Sequence, residues 1–107
     1  MTLLDLARRL LALDIQKTID PDRKKRIEGA LEVLETVQPE RTFYRVISRS
    51  QSTKTHQVTQ WWCTCADNNY RASQGLLCAH RTAVEAYRKA QENLAHVEAC
   101  RSLGLVV

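Results

Sequence analysis

A chain of 107 residues, 44% hydrophobic and 26% charged, is one domain's worth, able to bury only a modest core. No apolar run is long enough to cross a bilayer, and Met1-Thr2-Leu3-Leu4-Asp5 lacks the basic start and cleavage site of a signal peptide. The expectation is a cytoplasmic, intracellular protein with reduced thiols and no membrane partner. The net charge of +4 is unevenly spread: residues 41–89 carry eight basic groups against two acidic, +6, whereas 1–40 and 90–107 are each −1.

Thr2 is placed to cap a helix from Leu3 to about Lys17. Leu3, Leu4, Leu6, Ala7, Leu10, Leu11, Leu13 and Ile15 give it a wide apolar stripe, with Asp5, Arg8, Arg9 and Gln16 opposite and Asp5 four residues from Arg9. So many leucines on one short helix fit either core packing or the seam of a homodimer through this N-terminal helix. Asp20 is an N-cap residue and Pro21 suits the first helical position. Ile27, Ala30, Leu31, Leu34 and Val37 continue at helical spacing until Gln38-Pro39 ends the segment. The run Arg23-Lys24-Lys25-Arg26 is a solvated face balanced by nearby Asp and Glu.

Thr42 to Ser50 and Thr55 to Trp62 alternate as two strands around the polar turn Gln51-Ser52-Thr53-Lys54. One face of the first strand holds Tyr44, Val46 and Ser48; the other holds Arg41, Phe43, Arg45, Ile47 and Arg49. That second face suits phosphates and a stacked base, or it packs Phe43 and Ile47 under the N-terminal helices with arginine stems along the edge. Trp61 and Trp62 point to opposite sides of their strand, so one is a candidate partner contact. From Ala79 to about Cys100 the spacing predicts a long helix with Ala83, Tyr87, Ala90, Leu94 and Val97 inside.

Between the second strand and this helix stand Cys63-Thr64-Cys65, a gap of twelve residues, and Cys78-Ala79-His80. Two tight pairs joined by a loop offer three thiolates and one imidazole to a single tetrahedral zinc. Asp67-Asn68-Asn69 and Gly75 supply turn-forming residues inside the gap. Disulfide pairing of the four cysteines is the alternative. His56, His96 and Cys100 fall outside the pattern; the histidines read as ordinary surface or core residues and Cys100 as a small buried one.

The C-x-C…C-x-H order resembles the SWIM zinc finger, and Tyr44-Arg45-Val46 with His56-Gln57-Val58 look like that family's two aromatic-x-Val strands, His56 standing where an aromatic is commoner. The resemblance covers roughly residues 42–90. It implies a β-hairpin leading into the first pair of ligands, a helix opening at the second, one structural Zn²⁺, and a role in DNA transactions or protein contacts.

The expected fold is therefore α+β: an N-terminal helical pair over 1–40, then a zinc-bound ββα module with its long C-terminal helix over 41–107, in one compact unit. Four protein ligands close the coordination sphere and leave no place for substrate. Zinc deaminases place a glutamate two residues after the histidine; here Thr82 stands there. The chain is read as a non-enzymatic module binding nucleic acid, DNA first, with Arg41, Phe43, Arg45, Arg49, Lys54, Arg71 and Arg81 as candidate contacts. Arg71 and Arg81 are also placed to offset the charge of the thiolates. The alternative is a protein–protein adaptor.

Overall fold

The computed structural model describes residues 2–48, 53–59, 62–65 and 77–104, backbone only at 99–102. It is an α+β arrangement of three α-helices and a three-stranded antiparallel sheet. Helix α1 spans Leu3–Lys17. Thr2 caps it through a complete capping box: its hydroxyl accepts from the Asp5 N–H at 3.1 Å while the Asp5 carboxylate reaches back to the Thr2 N–H. These bonds to Thr2 hold the Asp5 carboxyl below the usual carboxylate range. Its ion pair is with Arg8 at 3.4 Å rather than with Arg9, and Arg8 also meets Glu35.

Helix α2, Pro21–Val33, starts as the sequence predicts, with Pro21 in its first turn and the Asp20 side chain accepting from the Asp22 N–H at 3.0 Å. It ends sooner than expected. Leu34–Thr36 tighten into a 3₁₀ turn, and Gln38–Pro39, where the sequence predicts only the end of the helix, form a short strand, β1. Proline is tolerated there because β1 is an edge strand. β1 pairs with β2 (Tyr44–Ile47), Gln38 opposite Arg45. β2 in turn pairs with β3 (Thr55–Val58) in the register Tyr44↔Val58, Arg45↔Gln57, Val46↔His56 and Ile47↔Thr55.

Pairing by twos puts Tyr44, Val46, His56 and Val58 on one face. Val46 and Val58 are fully buried there. Helix α3, Ala79–Ser102, lies under this face and is tied to it by Tyr44 and Tyr87, whose rings meet edge-on with centroids 5.9 Å apart. Both α1 and α2 pack along α3 as well. One core therefore joins Ala7 and Leu11 of α1, Ile27, Ala30 and Val33 of α2, Leu34, Val46 and Val58 of the sheet side, and Ala83, Val84, Ala86 and Ala90 of α3. The inner stripe of α3 differs from its predicted list: Val84 and Ala86 are buried, whereas Leu94 and Val97 are only half-buried because the helix outruns the elements that cover it. Most of the α1 leucines also lean on this core, leaving Leu13 about half exposed.

The packing sets an expected contrast. Leu34→Ala, at a position with no exposed surface, should lower unfolding free energy by about 2–5 kcal/mol. Leu13→Ala, half in solvent, should change it by less than about 1 kcal/mol. Urea denaturation of the two variants checks both.

Candidate metal centre

The site grows from the end of the hairpin. Beyond β3 the chain returns on itself: the Thr59 N–H donates to the Trp62 carbonyl at 2.7 Å, the Trp62 N–H donates to the Thr59 hydroxyl at 3.0 Å, and Cys63 pairs back onto Val58 as an isolated antiparallel bridge. The Thr64 N–H then donates to the Gln57 carbonyl at 3.2 Å, and the Gln57 N–H to the Thr64 hydroxyl at 3.2 Å. Thr64, the residue between Cys63 and Cys65, is thus held at both its N–H and its hydroxyl against β3.

The second pair of donors is set by the first turn of α3. The Thr82 N–H and hydroxyl both donate to the Cys78 carbonyl, at 3.0 and 2.9 Å. The Arg81 N–H, one of the N–H groups that a helix start leaves without an intrahelical acceptor, points at the Cys78 sulfur at 3.4 Å. A developing thiolate at Cys78 is stabilised by that arrangement.

Together these two ends bring the Sγ atoms of Cys63, Cys65 and Cys78 and a ring nitrogen of His80 within 4.8 Å of one another, with all four residues buried. Ligand–ligand edges in a tetrahedral sulfur site with metal–sulfur bonds of ~2.3 Å are ~3.8 Å. The donors are therefore gathered to within ~1 Å of a closed coordination sphere. The thiols are free rather than bridged.

Two further observations fit a metal ion to this set. Both ring nitrogens of His80 are buried and have no hydrogen-bond partner among the described residues, a cost that one metal–nitrogen bond removes on one side of the ring. The sulfurs also compete for protons when no metal is bound. Contact with Cys65, then with Cys78, and burial push the Cys63 thiol well above its ordinary range. For Cys78 the contact with Cys63 pulls downward, but Cys65 and burial outweigh it and leave the thiol raised to about 11. Without metal the cluster is a set of protonated thiols sharing hydrogen bonds; a cation takes the place of those protons.

One residue outside the expected ligand set belongs to the same neighbourhood. His56 of β3 lies with its ring centroid 4.7 Å from that of His80, tilted by 56°, and its Nδ1 is 3.2 Å from the Thr64 hydroxyl. Burial, then the neighbouring His80, shifts the His56 imidazole below its ordinary pKa. It stands opposite Val46, on the face of the hairpin that the structure buries. The alternation in the sequence does not predict its contact with His80.

The residues proposed to meet nucleic acid are less concentrated. Arg41, Arg45 and Lys54 are exposed and Phe43 is half-buried. Arg45, on the central strand β2, lies 3.8 Å from Glu40 and is thereby partly neutralised. Arg81 is half-buried beside Cys78. Trp62, the residue before Cys63, is 47% exposed. Arg49, Trp61, Asp67, Asn68, Asn69, Arg71, Gly75 and the side chain of Cys100 lie outside the described residues. A cavity of about 180 Å³ between α1, α2 and α3 is lined by Leu77, next to Cys78, but by none of the four donors.

Comparison with protein-family models, with curated proteins and with solved structures returns no match in any of the three. The geometry alone therefore defines the class: an α+β domain with a buried three-cysteine, one-histidine cluster able to hold a metal ion.

Removing one donor tests this directly. Cys78→Ser should lose bound metal and melt at lower temperature than the parent, read by metal analysis and a thermal scan. Because binding displaces thiol protons, the apparent affinity of the parent should fall on acidification, by about one log unit per thiol per pH unit below the thiol pKa values. A chelator titration from pH 8 to pH 6 measures the slope.

Proposed function

We propose that this chain is a small SWIM-type module in which one zinc ion is structural and the basic surface around it binds nucleic acid, DNA first. The observation that carries the zinc assignment is the buried set Cys63, Cys65, Cys78 and His80. Three soft thiolates and an imidazole in a closed tetrahedral arrangement suit Zn²⁺, and a sphere filled by four protein ligands is the mark of a structural rather than a catalytic site. The ion joins the end of the hairpin to the first turn of α3. Binding of this kind supplies on the order of 10 kcal/mol to a small fold, since the site does not exist in the unfolded chain. In this reading the module works by binding, since four protein ligands leave no open position on the metal for a substrate.

The nucleic-acid reading is supported by the net +6 of residues 41–89 and by the exposure of Arg41, Arg45 and Lys54 on and beside the sheet. Zinc with three thiolates lowers that charge by one and leaves it positive. A protein adaptor is the second reading, favoured by the half-exposed Trp62 adjoining a ligand, since aromatic side chains anchored at one end are frequent hot spots.

Fluorescence anisotropy with single- and double-stranded oligonucleotides across a salt series separates the two. The expected result is affinity that falls with salt by about 0.7–0.9 log units per phosphate contact per log unit of salt, and Arg41→Ala or Lys54→Ala each reducing that slope by roughly one contact. No binding at low salt, with a protein partner retained by the parent and released by Trp62→Ala, supports the adaptor instead.

A further inference from the structure

We infer that His56 is a positioning residue of the metal centre: its imidazole, anchored to Thr64 between Cys63 and Cys65, sets the plane of the ligand ring of His80. This inference rests on the metal-binding reading of the four donors and adds a residue to it.

Metal-bound histidines are ordinarily oriented by a hydrogen bond from the ring nitrogen that does not face the metal, to a carboxylate, a carbonyl or water. His80 has no such partner among the described residues at either nitrogen. The described contact that fixes its ring is the imidazole of His56, 4.7 Å away between centroids and tilted by 56°. A ring that packs against another ring loses rotation about its own side-chain bonds, which is the freedom that a second hydrogen bond would otherwise remove.

His56 can serve as a stop only if it is itself fixed, and three features fix it. It sits in the middle of the β2–β3 ladder, opposite Val46. Its side chain is half-buried on the inner face of that ladder. Its Nδ1 is 3.2 Å from the Thr64 hydroxyl, which also accepts from the Gln57 N–H at 3.2 Å. A hydroxyl with two lone pairs and one proton can satisfy both neighbours. The peptide of Thr64 closes the loop by donating to the Gln57 carbonyl at 3.2 Å.

The consequence is a short mechanical chain. The backbone turn that presents the Cys63 and Cys65 sulfurs is the same turn whose side chain holds His56, and His56 holds His80. The two halves of the donor set are thus registered to each other through His56. Pre-orientation of this kind removes part of the ordering cost of binding.

The test is zinc affinity by competition with a chromophoric chelator, paired with the visible spectrum of the Co²⁺-loaded protein, whose ligand-field bands report the geometry at the metal rather than global stability. Four variants suffice: His56→Ala, His56→Phe, Thr64→Val and Cys78→Ser. His56→Ala should weaken zinc binding by about 10–100-fold and alter the cobalt bands, the range found when a partner of a ligating histidine is removed. Thr64→Val keeps the branched shape but loses the hydroxyl, and His56→Phe keeps a ring but not the anchoring nitrogen. Both should give smaller losses of affinity, with shifted bands. If His56→Ala does not fold, these two variants decide alone. Affinities within about twofold of the parent together with unchanged cobalt spectra, while Cys78→Ser has lost its metal, would overturn the role of His56. Stoichiometric metal retained by Cys78→Ser would instead overturn the underlying donor assignment, so the two failures are told apart.

Discussion

Burial inside the hydrophobic core of four side chains able to hold a metal ion is the constraint on which the rest of the structure depends. Cys63, Cys65 and Cys78 belong to the same packed cluster as Val46, Val58 and Ala83, and His80 is buried beside them. Thiols tolerate such surroundings, because a protonated sulfhydryl is a small, weakly polar group. An imidazole with two buried and unpartnered nitrogens does not. The cluster is therefore at ease in the middle of the core only when a cation draws the sulfurs together and takes one of the imidazole nitrogens. A metal ion held here would join the donors and the core in one event, so proton competition at the thiols would bear on both.

That event is placed where it links the most structure. The hairpin ends at Cys63 and Cys65, α3 begins at Cys78 and His80, and α1 and α2 lie along the same α3. Fixing the start of α3 against the sheet thus also fixes the surface on which the N-terminal helices rest. Residues 1–40, which carry none of the donors, still depend on them through Leu11, Ile27 and Ala30 packed against Ala83, Val84, Ala86 and Ala90 in a shared core. The metal end and the helical end are two parts of one packed unit.

Charge follows a different logic. Among the described residues, the basic groups of the central segment are spread rather than gathered around the donors. Arg81 sits close to Cys78, Arg45 on the central strand pairs with Glu40, and Arg41 and Lys54 are exposed. Arg45 thereby gives up part of its charge to a local carboxylate.

The order of α1, α2, β2, β3 and α3, the caps at Thr2 and Asp20, and the gathering of Cys63, Cys65, Cys78 and His80 were legible in the sequence, because each depends on residues a few positions apart: a hydroxyl three residues from an N–H, a proline after an aspartate, two candidate donors one residue from each other. The end of α2, the strand at Gln38–Pro39 and the buried places of Val84 and Ala86 were not legible. They are decided by what packs across from them, and β1 exists only because β2 offers it an edge. The choice of Arg8 over Arg9 as the partner of Asp5 has the same origin, since Arg8 also meets Glu35 from a different element. His56 shows the division most sharply. Alternation in the sequence places it on one face of a strand without saying which face is buried; the packing of the hairpin decides that. Only the folding of the hairpin onto the first turn of α3 brings its ring against His80, because a contact between residues so far apart in the chain leaves no local periodicity to read.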